Sequence, residues 1–193
     1  MPFELHSVYL DAVKVLVPTR FEDHRGYFME AYRQDQFLEL GLPGNFVQDN
    51  FSHSTVGVIR GLHFQWHPPM GKLMRVVYGR AFLVAVDLRV GSPTLGHWFG
   101  VEASAENNLQ VWAPASFARG FCALSETAGV LYKCTGTYSQ PHESGIRWDD
   151  PTIGIEWPVK DPVLSAKDAS AQSLAEWLAR PEAQHFTYAP ATP

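Results

Sequence analysis

GVIRGLHFQWHPPMGKLMR, residues Gly57 to Arg75, sets two short apolar runs on either side of a Pro68-Pro69 corner. Val58 and Ile59 lead into Arg60, Gly61 and His63, and beyond the corner Lys72 opens a second run, Leu73 to Tyr78. Short apolar runs divided by Pro and Gly read as two strands joined by a rigid bend. The bend thus brings two cations and a titratable imidazole onto neighbouring strands. That combination suits an anionic ligand with a proton to lose. Taken singly, Arg60 and Lys72 read as solvated surface charges and His63 as a hydrogen-bonded core residue. Together they read as a site.

The same punctuation continues outward from this stretch. Val13 to Val17 reads as a strand closed by Pro18, and Tyr27 to Tyr32 as a strand after the polar Phe21 to Gly26 segment. Gln34 to Leu40 has helical spacing before Gly41. Phe46 to Ser52 alternates, with Phe46, Gln48, Asn50 and Ser52 on one face, so Gln48 and Asn50 can point toward a ligand. Arg80 to Arg89 is apolar almost throughout, as in a strand covered on both sides. His97 to Ala103, Leu109 to Trp112, Phe117 to Leu124 and Val130 to Thr135 follow as strands, and Ser173 to Ala179 as a terminal helix. Short strands at such regular spacing predict an all-β antiparallel sandwich or barrel with a few short peripheral helices. Two packed sheets leave an interior that His63, Lys72 and Tyr132 can furnish.

A chain of 193 residues with 46% hydrophobic content can bury a real core, and residues 1–193 read as a single domain with 181–193 a loosely held tail. The formal net charge of -5 argues against nucleic acid and acidic membrane surfaces as partners. Cys122 and Cys134 are too few for a disulfide scaffold and read as buried free thiols of a reducing compartment. Neither a basic leader with an apolar block nor an apolar run of bilayer length is visible, so the expected location is cytoplasmic.

Eight blocks occur in order from about Phe21 to Asp168: FEDHRG, FVQDN, GVIRGLHFQ, GKLMRV, VAVDLR with GSPTLG, LYKCTGTY, GIRWDDPTIGIEWP and LSAKDA. In these the sequence resembles the dTDP-4-dehydrorhamnose 3,5-epimerases of the cupin superfamily. The resemblance implies a cupin-type jelly roll, a homodimer, no cofactor and no metal. It also implies a dTDP-linked 4-keto-6-deoxyhexose substrate inverted at the carbons flanking the ketone. Carried over by position, it implies His63 as base, Asp168 as its orienting partner and Tyr132 as acid. Arg60 and Lys72 would contact the sugar and the developing negative charge. Arg25, Glu30, Gln48, Asn50, Glu143 and Lys167 would bind or surround the nucleotide diphosphate, and Tyr138 would stack on thymine.

The chemistry accounts for these residue types. A ketone acidifies the adjacent C–H bonds because the carbanion delocalises onto oxygen. Taking such a proton near neutral pH needs a base of matching pKa, hence histidine. The enolate oxygen needs a cation or donor in a water-poor site, and inversion needs an acid on the opposite face, which a phenol supplies. No hydride carrier is required, and the chain lacks a Gly-rich dinucleotide fingerprint. One position departs from the family: Arg119 stands in PASFARGF where members carry histidine. Arginine cannot shuttle protons, but it can hold a phosphate or an enolate oxygen, so Arg119 is counted among the substrate contacts. Competing readings are an epimerase acting at only one carbon, a metal-dependent cupin and a non-catalytic sugar-nucleotide binder. For the metal reading, aligning on His63 puts Gln65, Pro69 or Met70, and Arg119 at the remaining ligand positions, which leaves one ligand of four.

Overall fold

Alternation of buried and exposed residues along the strands sorts the chain into two sheets, in the computed structural model that describes residues 2–190. The first strands are β1 (Phe3–Tyr9), β2 (Val13–Pro18), β3 (Phe21–Asp23) and β4 (Gly26–Phe28), followed by helix α1 (Gln34–Glu39). Then come β5 (Gln48–Thr55), β6 (Ile59–Gln65), β7 (Lys72–Tyr78), β8 (Arg80–Asp87), β9 (Trp98–Ser104), β10 (Gln110–Ala113), β11 (Phe117–Ala123), β12 (Thr127–Cys134) and β13 (Glu143–Gly145). Two short helices, α2 (Ala166–Ala169) and α3 (Leu174–Leu178), follow. A six-stranded sheet runs β1-β2-β10-β7-β12-β5 and a five-stranded sheet runs β13-β6-β11-β8-β9, while β3 and β4 pair only with each other. The pairings are antiparallel, as the sandwich reading requires.

Between the sheets lies a core of small and β-branched residues, Val15, Val76, Ala85, Val111 and Val130 among them, with Leu83, Phe117 and Phe121. Burying such side chains stabilises by roughly 1.5–3 kcal/mol each. The five-stranded sheet is buried on its outer face too, where Leu62, Phe64, Val84 and Val86 meet Ile146, Trp177, Ala183 and Phe186. Double coverage explains the uninterrupted apolar run of β8 and the fully buried β11. On the outer face of the six-stranded sheet, α1 brings Phe37 onto Phe3, Leu16, Leu73 and Trp112. β6 and β11 approach so closely that a Cβ on Gly61 would lie 2.6 Å from Gly120 Cα, and Gly61 also holds φ +126°, a conformation that favours glycine.

Several boundaries differ from the sequence expectations. The strand read over Tyr27 to Tyr32 ends at Phe28, because Ala31 O accepts from Gln110 Nε2 and the Tyr32 ring packs on Phe37 and Phe46. The Phe46 to Ser52 strand begins at Gln48 and runs on to Thr55, and Phe46 is drawn instead against Trp112. Strand β1 went unpredicted since half-exposed edge positions carry no clear alternation. The expected loose tail is also corrected. Residues Pro181–Phe186 form a 3₁₀ turn, Val90 N–H donates to Phe186 O, and Tyr188 N–H donates to Val90 O. Phe186 is 3% exposed against Trp177 and Phe64, so apolar burial fastens the segment; of the tail, 191–193 lie outside the described residues.

This docking generates a stability prediction. Phe186→Ala lowers unfolding free energy by about 3–5 kcal/mol, the usual cost of emptying an aromatic core site, read as a drop in the urea midpoint at unchanged slope.

Candidate active site

Both sheets contribute to one cavity of ≈ 380 Å³, lined by Arg60, His63, Lys72, Met74, Arg119, Tyr132, Lys167 and Asp168 among others. His63 projects from β6 of the five-stranded sheet, and Tyr132 from β12 of the six-stranded sheet. The imidazole and the phenol therefore approach the cavity from different walls. Strand periodicity fixes this: Tyr132 pairs with Asn50 and Met74, putting all three on the inward register of their strands.

His63 Nε2 donates to Asp168 Oδ1 at 2.6 Å across 105 residues of chain. A carboxylate only accepts, so the ring proton sits on Nε2 and the neutral imidazole keeps its lone pair on Nδ1. Asp168 is 4% exposed. Burial pushes its carboxyl pKa up, but hydrogen bonds from His63, Ser165 and the Gly61 N–H, with the His63 charge, outweigh burial and hold it below the ordinary value. Ser165 also caps α2, its Oγ accepting from Asp168 N–H at 3.1 Å. Neither Gly61 nor Ser165 was singled out from sequence. The Ser165-Ala-Lys-Asp168 spacing is nonetheless a capping pattern and could have signalled the helix turn that carries Asp168.

Lys72 forms no ion pair among the described residues, and its Nζ lies 5.3 Å from the Tyr132 ring centroid. Burial, then the Arg119 charge, lowers its pKa to about 8. Arg60 stands at the exposed edge of the cavity, with Nε donating to Ser54 Oγ at 3.0 Å and Nη2 to His53 O at 3.2 Å. Arg119 lines the cavity but differs from the sequence expectation of a group free to hold an anion. Its Nη1 donates to Pro114 O and Phe117 O, and its Nη2 to Met70 O.

An adjoining recess of ≈ 140 Å³ is bounded by Gln48, Asn50, Tyr138 and Glu143 together with His63, Lys72 and Tyr132. Gln48 Nε2 donates to Asn50 Oδ1, and Gln48 Oε1 accepts from Tyr138 N–H, so this amide fixes the loop bearing Tyr138. Glu143 accepts from Tyr138 Oη at 2.7 Å and from Lys167 Nζ at 2.5 Å. These two bonds outweigh burial and keep its carboxyl below the usual range. The Tyr138 ring is 57% exposed and presents an open aromatic face.

Two expected site residues are not brought here within one chain. Arg25 is exposed in the β3–β4 turn and bound to Asp23, and Glu30 faces Arg33 at 3.8 Å. The hairpin pairs with neither large sheet, and Arg25 is not among the residues lining the cavity. Elsewhere, Cys122 and Cys134 are free and buried as expected, and Trp112 is in the core, whereas Trp148 and Trp157 are only half-buried.

The sequence pattern of the dTDP-4-dehydrorhamnose 3,5-epimerase family matches residues 7–176. A protein of that name from Shigella flexneri is 51% identical over 166 residues, covering 85% of this chain and 92% of its own. A dTDP-4-dehydrorhamnose 3-epimerase from Streptomyces niveus is 39% identical over 174 residues, covering 89% and 84%. The crystal structure of a dTDP-6-deoxy-D-glucose-3,5-epimerase from Legionella pneumophila Philadelphia 1, in complex with dTDP-4-keto-L-rhamnose, superposes with a TM-score of 0.90. It is 42% identical, and the match covers 98% of this chain and 100% of that one. A cavity furnished with the His63–Asp168 pair, a phenol and buried cations thus sits in a chain that belongs to the dTDP-4-dehydrorhamnose 3,5-epimerase family.

Proposed function

We propose that this chain is an isomerase that converts dTDP-4-dehydro-6-deoxy-D-glucose to dTDP-4-dehydro-L-rhamnose by moving protons beside the ketone. The carrying observation is that His63 and Tyr132 reach one cavity from different sheets, with Lys72 beside the phenol. In this reading His63 Nδ1 takes the proton from carbon while Asp168 holds the imidazolium that forms. The electron pair moves onto the C4 oxygen, where Lys72 and Arg60 face the charge. Tyr132 then returns a proton to carbon from the other face, the imidazolium gives its proton to solvent and the phenolate regains one from it, and repetition at the second carbon completes the inversion. Protons leave and return with no net redox change, so the residues suffice without a cofactor.

The recess beside the cavity suits the nucleotide end of the substrate, with the Tyr138 ring against the base and Gln48, Asn50, Glu143 and Lys167 around the diphosphate. Arg25 and Glu30 fit this scheme only if a second copy brings them. The hairpin carrying Arg25 has Phe21, Tyr27 and Phe28 exposed, which supports a homodimer that covers them. Free buried thiols favour a reducing compartment and hence the cytoplasm. Among the described residues, no helix is long and apolar enough to cross a membrane.

Incubating the protein with dTDP-4-dehydro-6-deoxy-D-glucose in deuterated water tests the reading. NMR should show deuterium entering at both C3 and C5. Exchange at one carbon alone would make it a mono-epimerase, and binding without exchange would make it a sugar-nucleotide binder. His63→Ala and Tyr132→Phe should each cut turnover by at least ~10²-fold while keeping the far-UV signature of the fold. Wild-type rates in both would remove the acid and base assignment.

Lys72→Met should lose roughly 10²–10³ in rate yet unfold at higher denaturant than wild type at pH 7, by about 1–3 kcal/mol. The sign follows from its lowered folded pKa of about 8. Below that pH the folded protein carries a proton it holds poorly. The penalty shrinks as pH rises toward the unfolded lysine value of ~10.5 and then vanishes, so the variant's advantage should disappear at alkaline pH.

A further inference from the structure

Arg119 sits opposite His63 in the β6–β11 pairing and is 3% exposed, yet it forms no ion pair with a carboxylate among the described residues. Nη1 donates to the carbonyls of Pro114 and Phe117, each at 2.6 Å, and Nη2 to that of Met70 at 2.7 Å. Its buried Nε finds no hydrogen-bond partner among the described residues. Every contact is thus to neutral backbone, which satisfies donors without cancelling charge. A guanidinium buried without a counter-ion is costly, and its pKa falls to about 10, which still leaves it charged at neutral pH. Such an arrangement calls for an explanation beyond packing.

The Met70 carbonyl it grips lies two residues before Lys72, at the exit of the Pro68-Pro69 corner. Arg119 therefore ties β11 and the loop before it to the bend that delivers Lys72 into the cavity both residues line. The other titratable groups around Lys72 are Cys134 and Tyr132 on β12, His63 on β6, Glu143 on β13 and Lys167 on α2. Glu143 and Lys167 are paired with each other, His63 with Asp168, and burial pushes the Cys134 thiol up and so keeps it neutral. Among the described residues, Arg119 is left as the uncompensated charge near that ammonium.

Building on the epimerase reading above, we propose that Arg119 is a positioning residue that acts through Lys72 and does not hold the ligand. Locked to three carbonyls, it fixes the bend before Lys72 and sets a permanent charge beside it, so that Lys72 holds its proton loosely and gains most from an anion that shares it. Arg119 thereby sets the alkaline limit of the reaction: protonated Lys72 is needed at the enolate oxygen, and activity falls as pH rises through its titration.

Carbon-13 labelling of the five lysines permits a direct NMR titration, with Lys72 identified as the signal lost in Lys72→Met. In Arg119→Gln, which can still donate to the carbonyls, and in Arg119→Met, which cannot, the Lys72 midpoint should rise by ~1 pH unit. The alkaline limb of kcat/KM should rise with it, and affinity for dTDP should stay within about twofold of wild type, since diphosphate contacts are untouched. An unmoved Lys72 midpoint in Arg119→Gln would overturn the proposal, and so would a tenfold rise in KM at unchanged kcat, the mark of a ligand contact. A merely structural arginine would lower Tm and depress kcat equally at all pH, which also overturns it. Should Arg119→Met fail to fold, Arg119→Gln decides. Because the titration needs no turnover, a wild-type protein that exchanges no deuterium would count against the epimerase reading while the Lys72 midpoint still judged Arg119.

Discussion

A single hydrogen bond, from His63 Nε2 to Asp168 Oδ1, ties the site together, because it joins a strand in the middle of the sandwich to a helical turn far along the chain. It settles which ring nitrogen keeps a lone pair, and it needs a carboxylate that stays ionised while almost fully buried. The Gly61 N–H and the Ser165 cap meet that need. Gly61 can take part only because β6 and β11 come so close that any side chain there would collide with Gly120. Tight strand packing and acid–base chemistry are thus one requirement at this position.

Charge inside the cavity follows the same economy of parts. The protein is acidic overall, yet Arg119 is buried and Lys72 largely so, and neither is ion-paired among the described residues. Positive charge that is poorly solvated gains most from an anion that forms in place, which is what distinguishes an enolate from a ketone. At the mouth, by contrast, Lys167 and Glu143 neutralise one another, and Tyr138 leans on the same carboxylate. The deep part thus keeps its positive charge uncancelled, while the mouth is neutralised and offers an open aromatic face.

Much of this was legible before any coordinates. The Gly57 to Arg75 stretch signals two strands and a bend because Pro, Gly and β-branched residues constrain the backbone locally, and β6 and β7 lie where it indicates. The unbroken apolar run from Arg80 announces a strand covered on both faces. What periodicity cannot carry is contact at long range: Asp168 came to His63 only through family resemblance, since its local pattern says no more than helix turn. The surroundings of Arg119 were out of reach for a related reason. A guanidinium reads as a free anion binder until the carbonyls of Met70, Pro114 and Phe117 are seen around it. The tail was misjudged because hydropathy alone does not reveal that Phe186 has a slot waiting between Phe64 and Trp177.

That slot has a consequence for how the molecule comes into being. The outer face of the five-stranded sheet is roofed by Ile146, Trp177, Ala183 and Phe186, all from the final quarter of the chain, and Asp168 arrives with them. During synthesis the earlier strands emerge with Leu62, Phe64, Val84 and Val86 still bare, a greasy surface with nothing to shelter it. The chain must emerge as far as Phe186 before that surface is roofed, and as far as Asp168 before the imidazole gains its carboxylate. Shelter for the sheet and the partner of the imidazole are therefore acquired together, from one late segment of the chain.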